Sequence, residues 1–127
     1  MVNRPKTRLD TLRKRSDFKE ILAAKNQVSP CFWLILAYRP NNSDKFRYGW
    51  TIPKYVGVAV VRNRLRRWCR DFFGNFSPKK EGEGYDFNII FRRAEKEFYK
   101  NVRRQDLFKA LSFAQHLFEK KTKRRNR

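Results

Sequence analysis

Apolar positions along the chain group into six segments, and their spacing switches between the helical and the extended period. In SDFKEILAAKNQ, Phe18, Ile21 and Leu22 recur at helical spacing behind Ser16 or Asp17 as N-cap, which predicts a short first helix. CFWLILAYRP is a run of β-formers ended by Pro40. The cluster NNSDK turns the chain before FRYGWTIP alternates as a second strand, expected to pair antiparallel with the first. Along the first strand, Phe32, Leu34, Leu36 and Tyr38 share one face, and Trp33, Ile35 and Ala37 share the other. Both faces are apolar, so both are expected to be covered.

A second helix is predicted from about Val58 to Phe73, closed by GNFSPKKEGEG, an expected mobile loop with Gly74 and Pro78. YDFNIIFRR supplies a third strand. RQDLFKALSFAQHLFEKK sets Leu107, Ala110, Leu111, Ala114, Leu117 and Phe118 on one face of a last helix. The order is α-β-β-α-β-α, an α+β fold with a crossover to a parallel strand. It predicts a single domain over 1–127, with a basic arm at 1–15 touching it through Leu9 and Leu12 and a solvated basic tail at 120–127.

The second helix is divided by its wheel. Arg62, Asn63, Arg66, Arg67 and Arg70 fall on one face, and Val58, Val61, Leu65, Trp68, Cys69 and Phe72 fall on the other, with Arg64 between the two sets. Every basic residue of this helix is arginine, whose planar fork engages phosphate oxygens in pairs. The only carboxylate on it is Asp71, so local ion pairing leaves most of the guanidinium groups without a partner.

Charge gives the ridge its meaning. Thirty-two Lys+Arg against twelve Asp+Glu leave a net charge of +20, while 40% apolar residues argue against disorder. A polyanion is the expected partner. No apolar run approaches the ~18 residues of a membrane span, and the N-terminus lacks the hydrophobic core of a signal peptide, so the expected location is cytoplasmic. Cys31 and Cys69 lie far apart without a neighbouring ligand, and each reads as a buried thiol.

Recognition of a DNA sequence calls for base-reading side chains on a helix that follows another helix, but this helix follows a strand and offers only Asn63. Shape and phosphate readout of folded RNA fits better. Phe18, Trp33 and Tyr55 stand equally as core residues or as a stacking floor for single-stranded nucleic acid. His116 is the only histidine, and Glu81/Glu83 and Glu95/Glu97 sit among basic residues, so no side-chain constellation supports catalysis or a metal site in the polypeptide.

The segment YGWTIPKYVGVAVVRNRLRRWCR resembles the signature of the protein subunit of bacterial ribonuclease P, at Gly49, Lys54, Gly57, Ala59, Val60, Arg62, Asn63, Arg64, Arg66, Arg67 and Arg70. The likeness extends to LRKRSDFKEIL, YDFNIIFRR and LFKALSFAQHLF. It implies a single-domain α/β sandwich with a left-handed βαβ crossover carrying the arginine helix, where the residues alone give the default right hand.

The resemblance also implies a cofactor of a catalytic RNA. Together they remove the 5′ leader of precursor tRNA by Mg2+-dependent hydrolysis, with the metal mainly RNA-bound and one protein per RNA. Arg62, Asn63, Arg64, Arg66, Arg67 and Arg70 would then face or support the ribonuclease P RNA. Phe18, Ile35, Thr51, Lys54 and Tyr55 would line a leader-binding cleft. Leu22 and Ile35 stand where the family carries aromatics, and Tyr55 where it carries a lysine, so Trp33 and Tyr55 are expected to restore an aromatic floor. A structural RNA-binding protein, a DNA-binding regulator and a self-sufficient nuclease are the rival classes.

Overall fold

In a computed structural model, which describes residues 9–76 and 83–125, the first β-run splits into a hairpin. Strand β1 (Gln27–Cys31) and strand β2 (Leu34–Pro40) pair antiparallel around a turn at Phe32 and Trp33. Pro30 has no N–H to give, and it sits at the irregularity between Val28 and Cys31 on what is an edge strand. The extra strand was hidden because Gln27, Ser29 and Pro30 are weak β-formers.

The sheet order is β1-β2-β4-β3, with β3 at Arg47–Thr51 and β4 at Tyr85–Phe91. Strands β2 and β3, expected to pair directly, are separated by β4, which runs antiparallel to β2 and parallel to β3. The turn between them opens to admit β4. Asn41 N–H donates to Gly84 O (3.1 Å), and Gly84 N–H donates to Ser43 O (2.6 Å). The outer edge of β3 is covered by the arm, through Leu12 N–H to Tyr48 O (2.8 Å) and Tyr48 N–H to Asp10 O (2.9 Å).

Helix α2 (Ala59–Phe76) joins β3 to β4 and forms the expected crossover. It packs with α4 (Arg104–Arg125) on one face of the sheet, where Leu36, Tyr48, Ile89 and Phe91 meet Leu65, Cys69, Phe73, Leu111 and Phe118. Helix α1 (Arg15–Ala24) covers the other face through Ile21, packed with Leu12 and Ala37 and flanked by Phe18 and Ile90. The period-2 alternation of β4 supplies both layers, with Phe87, Ile89 and Phe91 on the larger core and Asp86, Asn88 and Ile90 towards α1.

Boundaries differ at four places. Ser16 and Asp17, the expected N-caps, lie inside α1; Lys14 holds the cap position, where its ammonium has no acceptor to offer a backbone N–H, and Asp17 faces Arg39 (3.8 Å) and Arg47 (3.7 Å). Val58, expected on the buried face, precedes α2 and is exposed. A four-residue helix α3 (Phe98–Asn101) precedes α4. The expected solvated tail is helical through Arg125, fastened where Thr122 is buried and Lys121 Nζ donates to Gln27 O (3.0 Å).

Residues 1–8 of the expected arm, 77–82 of the expected mobile loop, and 126–127 lie outside the described residues. Among the described residues no helix is long and apolar enough to cross a membrane.

Candidate nucleic-acid interface

Helix α2 divides as its wheel predicts. Val61, Leu65, Cys69, Phe72 and Phe73 are buried, whereas Asn63, Arg67 and Arg70 are exposed and Arg62 and Arg66 half-buried. The helix begins after Gly57, whose φ of 154° is a conformation that L side chains avoid, and Arg62 Nε donates back to Gly57 O (3.1 Å). Asn63 Oδ1 accepts from Arg66 Nη1 (2.7 Å), so the asparagine between the two arginines of the triplet aims a guanidinium. The Arg70 guanidinium carbon lies 5.6 Å from the centre of the Trp50 ring.

Among the described residues none of these arginines pairs with a carboxylate. Asp71 faces Arg104 of α4 instead (3.9 Å). The face therefore presents positive charge that the fold does not neutralise. Arg64 is turned the other way and donates from Nη2 to the carbonyls of Tyr99 (3.2 Å) and Lys100 (3.0 Å).

A second surface opens between α1 and the sheet. One rung of the sheet sets Ile35 of β2 opposite Ile90 of β4, and Ile90 beside Thr51 of β3; all three are half-buried. Phe18 reaches over Gly49 at one end of this strip. At the other end Tyr55, 43% exposed, donates its hydroxyl to Phe91 O (3.0 Å) and carries the Arg93 guanidinium over its ring at 4.6 Å. Thr51 Oγ1 donates to Asn88 Oδ1 (3.0 Å), and Lys54 stands exposed at the start of the 3-10 turn Lys54–Val56. Leu22 projects from α1 at 74% exposure.

Trp33 does not join this strip. It was expected on the strand face of Ile35, but it lies in the turn before β2, where alternation does not apply. It is buried in the larger core against Phe98 (5.7 Å between ring centroids), Tyr99 (6.0 Å) and Phe91 (6.4 Å). Phe32, expected inside, is the residue left outside at 66% exposure. The strip's aromatic floor is thus Phe18 and Tyr55 without the tryptophan.

Asn88, Ile90 and Arg93 belong to the strip and escaped sequence reading. Asn88 had a signal, a polar residue two positions from Asp86 within an apolar strand; Arg93 had none among so many basic residues.

Among the described residues no three His, Cys, Asp or Glu side chains come together as a donor set. Asp17, Glu20 and Asp86 converge on Arg39, and Asp17 and Asp86 also face Arg47. His116 is exposed and stacks on Phe113.

Comparison with known proteins places this architecture. The family model described as Ribonuclease P matches residues 7–115. The chain belongs to the ribonuclease P protein family. The ribonuclease P protein component of Paramagnetospirillum magneticum is 36% identical over 110 residues, covering 82% of this chain and 81% of that protein. The component of Limosilactobacillus fermentum is 30% identical, with 87% and 95% covered.

The ribonuclease P protein structure from Thermotoga maritima superposes with a TM-score of 0.67 at 27% identity, covering 80% of this chain and 91% of that one. That of Staphylococcus aureus gives 0.72 at 22% identity, covering 87% and 95%, and bears on the fold alone. Family membership makes the protein a component of the ribonuclease that processes tRNA 5′ ends, a hydrolase, with the ribonuclease P RNA as partner.

Proposed function

We propose that the protein grips the catalytic RNA with the exposed face of α2 and holds the 5′ leader of precursor tRNA in the strip between α1 and the sheet. The observation that carries this reading is a row of arginines without carboxylate partners among the described residues, fixed on a helix whose opposite face is locked into the core. Neutralising phosphates brings two polyanions together, and each contact adds about 0.7–0.9 to the slope of log affinity against log salt. Phe18 and Tyr55 offer faces for unpaired bases, while Lys54 and Arg93 offer charge for the intervening phosphates.

In this reading Arg62, Asn63, Arg66, Arg67 and Arg70 serve the RNA. Phe18, Ile35, Thr51, Lys54 and Tyr55 serve the leader, joined by Asn88, Ile90 and Arg93. Catalysis belongs to the RNA, which also holds most of the Mg2+, a reading supported by the protein's converging carboxylates being taken by arginine. The protein acts as one copy per RNA, in the cytoplasm.

The test is cleavage of 5′-labelled precursor tRNA by a bacterial ribonuclease P RNA at limiting magnesium, with wild-type protein and with Arg66/Arg67/Arg70→Ala. Correct 5′ processing restored by the wild type and not by the variant is expected. Equal cleavage with and without folded wild-type protein overturns the reading.

A further inference from the structure

Arg64, the second arginine of the Arg-Asn-Arg triplet, spends its hydrogen bonds inside the protein. Its Nη2 bonds two successive carbonyls at the end of α3, and its guanidinium carbon lies 5.1 Å from the Trp68 ring centre. The last carbonyls of a helix lack intrahelical partners and carry its negative end, so a cation there is well placed. We propose that Arg64 is a positioning residue, which ties the arginine helix to α3 and acts on RNA only through where it sets Arg66, Arg67 and Arg70. This rests on the RNA-binding reading above.

The tie continues into the sheet. Tyr99, whose carbonyl Arg64 holds, is buried, and its hydroxyl is shared between the carbonyls of Trp33 (3.1 Å) and Arg92. Arg92 N–H donates to Trp33 O (2.9 Å), closing the link to the end of β4, where Arg93 lies over Tyr55. Arg64 thus fixes the phosphate-facing ridge relative to the rim of the leader strip. Arg67, three residues on, is the contrast: it is exposed and has no polar partner among the described residues.

The two roles differ in a measurable way, because a phosphate contact contributes to the salt slope and a positioning contact does not. Affinity for ribonuclease P RNA is measured across a monovalent salt series with wild type, Arg67→Ala, Arg64→Ala and Arg64→Lys, each checked for folding by circular dichroism. Arg67→Ala is expected to reduce the slope by about 0.7–0.9. Arg64→Ala is expected to bind several-fold more weakly at every salt concentration with the wild-type slope. Arg64→Lys should resemble Arg64→Ala, since an ammonium keeps the charge but ends one bond short of the position of Nη2 and lacks the plane that lies on Trp68.

A slope lowered in Arg64→Ala as it is in Arg67→Ala, or wild-type affinity restored by Arg64→Lys, overturns the proposal. If Arg64→Ala does not fold, Arg64→Lys decides by the same criterion. If neither folds where the wild type does, the internal tie is upheld, because a phosphate contact is not needed to fold the free protein. A wild type whose affinity is insensitive to salt overturns the RNA-binding reading itself.

Discussion

The ring of Phe18 sits directly over Gly49, so close that a β-carbon on residue 49 would come within 2.6 Å of the ring tip and 3.1 Å of Leu12 Cδ1. The glycine is there to let an α1 side chain reach the sheet. Gly49→Ala must push the ring outward; overpacking costs about 1–3 kcal/mol, and the relief of a strand glycine returns about 0.5–1 kcal/mol. Urea denaturation should show a net loss centred on about 1 kcal/mol and no larger than about 2.5 kcal/mol. If the strip holds the leader as proposed, binding of precursor tRNA should weaken relative to mature tRNA, since the displaced ring lies at one end of that strip. Unchanged discrimination would remove Phe18 from the leader-binding strip.

Tyr55 separates stacking from hydrogen bonding. Its hydroxyl is committed to Phe91 O, and its half-exposed ring carries Arg93 on one face. Tyr55→Phe keeps the ring and should cost about 0.5–1.5 kcal/mol of stability with little effect on the leader. Tyr55→Ala removes the face, and holoenzyme affinity for precursor tRNA should fall by about 1–3 kcal/mol while affinity for mature tRNA holds. Equal losses for the two substrates would make Tyr55 a general structural residue.

The residues made some of this legible and concealed the rest for physical reasons. Helix α2 was readable because burial and charge lie on opposite faces with little ambiguity, and α4 because its apolar stripe keeps one period from Leu107 to Phe118. Strand β1 was concealed by its composition, and its absence from the pattern carried a second error. With the chain read as one strand from Cys31, Trp33 fell on the α1 side of the sheet; with a turn at Phe32 and Trp33, it enters the larger core. The pairing of β2 with β4, which runs from Leu34–Phe91 to Pro40–Tyr85 and is extended by backbone bonds from Asn41 and Gly84, is a long-range choice that no periodicity reports. The inward turn of Arg64 follows from its place at the border of the two helical faces, but its carbonyl partners lie 35 and 36 residues away.

The two cysteines should differ in reactivity. Burial pushes the Cys69 thiol up strongly, against the opposing charge of Arg66; Cys31 is raised by partial burial, opposed by the backbone N–H groups of Trp33 and Leu34. In folded protein near pH 8, alkylation should modify Cys31 slowly and leave Cys69 untouched, because the thiolate is the nucleophile. The pH sign follows from the raised value. Cys69 favours the folded state below its ordinary value of 9.0, and this contribution declines as pH rises above that value, where only the unfolded chain ionises. The alkaline fall in unfolding midpoint should therefore be shallower in Cys69→Ala, and an identical fall would count against the burial of the thiol.

Asp86 is the buried anchor that fastens α1 to the sheet. Its fully buried carboxylate accepts two bonds from Arg47, Nε at 2.8 Å and Nη2 at 2.7 Å, with Arg39 Nη2 at 3.1 Å and Asn41 Nδ2 at 2.9 Å. Removing one partner of a buried pair costs about 3–5 kcal/mol, because it leaves charge without compensation. Asp17 and Glu20 remain beside the freed arginines, so Asp86→Asn should fall near the low end, about 3 kcal/mol by urea denaturation. Asp17→Asn breaks only longer contacts to arginines that keep other partners, and should cost less than about 1 kcal/mol. Because the network grips the end of the sheet away from the open rung, Asp86→Asn should also loosen α1 over the strip and weaken binding of precursor tRNA more than of mature tRNA. A variant that loses stability yet keeps that preference would show that α1 is held over the strip by Ile21 and Phe18 alone.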